Sequence, residues 1–78
     1  MDEKEEIRKG LENTYSVIQS NMENSFKYME DNPQEKDAII KLWKEYIKRL
    51  FNDLQFYSVK YNNKEIIKTL TKAILFGR

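Results

Sequence analysis

Hydrophobic residues recur along the first part of the chain at Ile7, Leu11, Tyr15, Ile18, Met22, Phe26 and Met29. The intervals are 4, 4, 3, 4, 4 and 3 residues, an eleven-residue repeat of about 3.67 residues per turn that keeps to one face of a nearly straight helix. No strand uses this spacing, because strand side chains alternate with a period of two. The pattern predicts a helix over residues 3–31. Gly10, Val17 and Tyr28 form a weaker stripe to one side. Glycine inside a helix costs up to about 1 kcal/mol relative to alanine. Gly10 therefore either admits the close approach of another helix or occupies a tolerant surface position near a fraying end.

The pattern returns at Ile39, Trp43, Tyr46, Leu50, Leu54, Tyr57 and Tyr61, with intervals of 4, 3, 4, 4, 3 and 4. This predicts a second helix over 33–61, matched to the first; each is on the order of 40 Å long at 1.5 Å per residue. Ile40, Ile47 and Phe51 widen its apolar arc to roughly half the circumference. One partner cannot cover so wide an arc, so helix 2 is expected to be central and flanked on two sides.

Between the two helices lie Asp31, Asn32, Pro33, Gln34 and Glu35. Asn32 is positioned to cap the second helix with its side-chain oxygen, Pro33 suits the first helical position, and Glu35 stands where a capping box places its acid. A link this short makes the helices antiparallel neighbours. Asn62 and Asn63 predict the next break, since Asn tolerates the left-handed conformation that ends helices and a second Asn suits the following cap. A third helix then covers 64–76 with Ile66, Ile67, Leu70, Ile74 and Leu75 inward, and Gly77 ends it. The alternative is a kink in one continuous helix. The expected fold is all-α: one domain over 1–78, a long antiparallel helical hairpin (about 3–31 and 33–61) plus a short C-terminal helix (about 64–76). Helix 3, about 20 Å long, shields only half of helix 2. The uncovered surface is expected to include some of Ile40, Trp43, Ile47 and Phe51. Exposed apolar patches of that kind mark interfaces, and two-fold pairing is the commonest way to close one. A homodimer completing a helical bundle through these four residues is expected, with a compact three-helix monomer as the alternative.

Composition narrows the chemistry. The chain of 78 residues has no Cys and no His, so it has no disulfide and neither of the usual ligands of structural zinc. The commonest general base and the best protein nucleophile are missing too. Gly10 and Gly77 are the only glycines, so no glycine-rich loop cradles a phosphate. The acids Glu3, Glu5 and Glu6 lack the inward Glu-x-x-His arrangement of helical di-metal sites and read as acids at a helix N-terminus. Asp53, at the edge of the apolar arc, is four residues from Arg49 and expected to pair with it. These observations point away from an enzyme: no catalytic residue, no metal, no cofactor and no small-molecule substrate is expected. Residues 1–6 are acidic, the opposite of a signal peptide, and the longest apolar run is 73–76, far short of the roughly 20 residues that span a bilayer. With the lack of Cys, this reads as a cytoplasmic protein.

The net charge of +1 hides an asymmetry. Residues 1–37 hold ten acids and five bases, a balance of −5; residues 38–78 hold three acids and nine bases, a balance of +6. Either the two parts attract one another or the basic part serves an acidic partner. Lys41, Lys44 and Lys48 line the side of helix 2 opposite its apolar arc. Lys60, Lys64, Lys68 and Lys72 recur every four residues, with Arg78 beyond. Such rows suit a phosphate backbone. Helix 3 offers Lys and Thr rather than the Arg, Asn and Gln that read bases, so nucleic-acid contact there would be led by phosphates. Residues 64–78 also have the amphipathic form of a surface-lying membrane helix, a pattern equally expected of a helix packed on the hairpin. Trp43, Tyr46, Phe51, Phe56, Tyr57 and Tyr61 make a dense aromatic set, with Phe56 and Val59 outside the main arc; aromatics outside a core often anchor interfaces with another protein. In texture, residues 43–78 resemble the C-terminal part of small helical bacteriocin-immunity proteins, where a basic, aromatic-rich helix leads into a short Lys-rich ending. The resemblance covers under half the chain, carries no site residue and implies a small helical binding protein. The reading of the residues themselves is a non-enzymatic, self-associating interaction or regulatory module, with a nucleic-acid-binding regulator as the alternative.

Overall fold

The structure, a computed structural model, describes residues 2–77; Arg78, expected to extend the basic row, lies outside them. The described residues form a long helix α1 (Glu3–Asp31), a single 3-10 turn (Pro33–Glu35), a long helix α2 (Lys36–Lys60) and a short helix α3 (Glu65–Phe76), with no strand among them. The fold is therefore all-α, a long helix–turn–helix followed by a short C-terminal helix.

In the part up to Ile39, α1 starts at Asp2, whose extended backbone (φ −79°, ψ 162°) lets its Oδ1 accept the Glu5 N–H at 2.7 Å. That bond satisfies one of the four amides a helix start leaves open. Glu3, Glu5 and Glu6 fill the first turn, where the helix dipole favours negative charge. At the other end Asn32 does not cap the following helix, as its position in the sequence suggests. Its backbone N–H donates to the Tyr28 carbonyl at 2.8 Å and its Nδ2 donates to the same oxygen at 3.1 Å. The side chain closes α1 because terminal carbonyls lack partners as much as leading amides do. Without a side-chain cap, the segment after Pro33 winds tightly: Glu35 N–H reaches the Asn32 carbonyl at 2.9 Å and Lys36 N–H reaches that of Pro33. The α-helix proper then begins at Lys36 instead of residue 33.

From Ile40 onward, α2 ends in a Schellman motif. Asn62 takes the left-handed conformation (φ 54°), its N–H donates to the Val59 carbonyl at 3.1 Å, and Asn63 N–H donates to that of Ser58 at 2.7 Å. The break is complete rather than a kink. Asn63 does not cap α3; Lys64 stands at that position with no side-chain cap. Gly77 closes α3 in the left-handed region (φ 67°), as its place after the last apolar residue predicts.

Among the described residues no hydrophobic side chain is buried. Ser58 is buried, and its Oγ donates to the Gln55 carbonyl at 2.8 Å. Ile18, Met29 and Ile39 in the first part, and Trp43, Phe51, Leu54 and Ile67 in the second, are half-buried. Of the residues expected to turn inward on α3, Ile66, Leu70, Ile74 and Leu75 are exposed, because α3 is not packed against α2; the arc of α2 is open where the sequence suggested. Its second stripe leaves Ile40 and Ile47 exposed.

Candidate interaction surfaces

The first surface is the apolar arc of α2. Ile40, Trp43, Ile47 and Phe51 recur at helical spacing, so the winding of α2 alone brings them to one side. Ile47 is 59% exposed and Ile40 48%, while Trp43 and Phe51 are half-buried. Trp43 and Tyr46 meet edge to face with ring centroids 6.0 Å apart, an arrangement aromatic quadrupoles favour. Leu50 and Tyr57 extend the arc and are exposed as well. The stripe of α1 is similar: Ile7, Leu11, Tyr15 and Phe26 stand in water. Gly10 faces open space, since a Cβ built on it meets nothing within 4 Å.

The second surface is the C-terminal end of α2. Asn52, Gln55, Phe56, Val59 and Lys60 line a shallow, open groove. Phe56 packs edge-on against Tyr57 at 5.3 Å, and Tyr57 stacks on Tyr61 at 6.4 Å with 26° between the planes. The Lys60 ammonium lies 5.5 Å from the centre of the Tyr61 ring, within the range of a cation–π contact. The sequence singled out Phe56 and Val59 but missed Asn52 and Gln55 beside them. Their spacing of three, four and seven residues from one another would have found the group had the amides been read together with the apolar positions.

The lysines fall into separate sets. Lys60 is the last residue of α2; Lys64, Lys68 and Lys72 follow the left-handed turn, and all four are exposed. The last three, Lys64 at the cap of α3 and Lys68 and Lys72 within it, form a row at intervals of about 6 Å along the axis. Lys41, Lys44 and Lys48 are exposed on α2.

The acidic start of the chain is engaged structurally. Arg8 pairs with Glu5, its Nε donating to Glu5 Oε2 at 3.2 Å, and its Nη1 donates to Glu12 at 2.8 Å. The hydrogen bond to Glu5 raises the Arg8 guanidinium above its ordinary value; desolvation opposes this and Glu12 adds to it. Arg8 stays charged, and its contribution would be lost only in strong alkali. Lys27 pairs with Glu23 at 3.3 Å. The expected Arg49–Asp53 pair is not formed. No group of three acids among the described residues is arranged to hold a metal ion, and no described helix is long and apolar enough to cross a membrane.

No protein-family model matches the chain, and no curated protein and no solved structure matches it either, so its function has to be read from these surfaces.

Proposed function

We propose that the chain is a non-enzymatic helical interaction module of regulatory type. It associates with a second copy of itself through the apolar arc of α2, with Ile40, Trp43, Ile47 and Phe51 at the contact. The observation that carries this reading is the absence of any buried hydrophobic side chain among the described residues, in a chain that is 40% hydrophobic. A second copy suits the surface because a two-fold contact needs only one self-complementary patch. The opposite charge balances of 1–37 and 38–78 also favour pairing one chain's acidic part with the other's basic part.

The test is the mass in solution by light scattering after gel filtration, over a wide concentration range. A dimer is expected. Phe51→Glu places a charge within the contact and should weaken association at least about 100-fold. A monomer at every concentration would overturn the reading, as would a Phe51→Glu variant that still forms the dimer.

A further inference from the structure

The side of α2 turned away from its apolar arc carries a chemically different surface. At about 100° per residue, Lys41, Lys44 and Lys48 fall within about 60° of one another, opposite Leu50 and Tyr57. Asn52, Gln55 and Val59 continue the same strip toward the C-terminal end, with Phe56 at its edge. A second copy seated on the apolar arc reaches the near edge of this strip at Lys44, about 20° from Phe51, and leaves Lys41, Asn52, Val59 and Phe56 in water. There Phe56 is 61% exposed and Val59 68%, a patch that self-association through the arc does not explain.

The order of chemistry along the strip identifies a ligand. Lys44 and Lys48, four residues apart, are separated by about 6 Å along the axis, a spacing suited to successive phosphates of an extended strand. Asn52 and Gln55 follow, the amide side chains that hydrogen-bond base edges. Phe56 comes last, its ring braced edge-on by Tyr57 at 5.3 Å and therefore set in orientation. Lysine alone would suit any polyanion. Lysine, amide and exposed ring in sequence suit an unstacked base on a phosphate backbone. An acid, Glu45, borders the strip beside the three lysines.

We propose that this outward strip of α2, from Lys41 to Lys60, binds single-stranded nucleic acid: phosphates on Lys41, Lys44 and Lys48, and a base stacked on Phe56 beside Asn52 and Gln55. The strip is about 28 Å long, room for about four or five nucleotides, at the low end of known single-strand site sizes. Of the lysines that the sequence singles out, Lys60 belongs to the groove. Lys64, Lys68 and Lys72 lie beyond the turn on α3, which offers no amide side chain beside them, and serve as further phosphate contacts. The site does not depend on self-association.

The experiment is fluorescence anisotropy of the full chain with labelled single strands of about 12 nucleotides, RNA and DNA in separate arms, and the matching duplex, each at several salt concentrations. Binding to single strands that weakens with salt is expected, with the duplex weaker. Replacing Lys41, Lys44 and Lys48 together by Gln should flatten the slope of log affinity against log salt by about 2. Phe56→Ala and Phe56→Leu should both weaken binding about 5- to 100-fold while leaving the slope unchanged, because Leu keeps the bulk but not the stacking face. All four positions are exposed, so circular dichroism should match the parent, and light scattering on the same variants reports self-association separately. Absence of salt-dependent binding overturns the proposal. So does equal affinity for the duplex, or a Phe56→Leu variant that binds as the parent does, since either marks unspecific contact with a polycation.

Discussion

Gly10→Ala separates two accounts of the first helix. Gly10 lies in the third turn of α1, bracketed by Arg8 and by Glu12, which pair across it at 2.8 Å. A Cβ at this position meets no atom within 4 Å, so the substitution introduces no clash. The hydrogen bond from Thr14 Oγ1 to the Gly10 carbonyl, 2.9 Å long, involves only backbone at residue 10 and persists. What changes is the unfolded chain: alanine has less freedom to lose than glycine and gains about 0.5–1 kcal/mol inside a helix. For a domain of this size, 1 kcal/mol moves Tm by about 4–8 °C, so a rise of about 2–8 °C is expected. The assay is thermal unfolding followed by far-UV circular dichroism, with parent and variant at one protein concentration, because self-association links Tm to concentration. An unchanged or lowered Tm would refute the reasoning. It would mean that another helix approaches the backbone at Gly10 in solution, and that the glycine is there for that contact.

Two further outcomes test the helix ends. Asp2→Ala removes the acceptor of the Glu5 N–H bond and should destabilise α1 by about 1 kcal/mol, read as faster amide hydrogen exchange in its first turn; unchanged exchange would show that the cap does not form in solution. Asn62→Ala forces alanine into the left-handed conformation (φ 54°) and should cost about 1–2 kcal/mol in urea unfolding, whereas Asn62→Gly should not. Equal stability of all three would mean that α2 runs on into α3 without the Schellman turn.

Helix existence and helix ends were legible because both are local. The eleven-residue repeat gave α1 to the residue, and Asn62 and Gly77 fell in the left-handed conformations that their positions suggested. Errors came where one side chain had two local options. Asn32 carries both a donor and an acceptor, and the sequence could not show that its amide would turn back to Tyr28 and not its oxygen forward. That choice moved the start of α2 to Lys36. The second Asn, expected to cap α3, stands one residue before Lys64, which holds the cap position without a side-chain bond.

The groove at the end of α2 was half legible. Phe56 and Val59 stood out because they broke the apolar pattern, while Asn52 and Gln55 did not, since amides on a solvent face break none. On α2 the four line one groove with Lys60, a grouping their helical spacing already contained. The sequence by itself determined the three helices, their terminators and the width of each apolar face, because backbone hydrogen bonding and residue periodicity act over a few residues. The tertiary structure decided which faces leave water. Hydrophobic burial has no direction and no range along the chain: a stripe of Ile, Leu and Phe states that a surface seeks cover, and only the folded chain shows that Ile66, Leu70, Ile74 and Leu75, expected inward, remain without it.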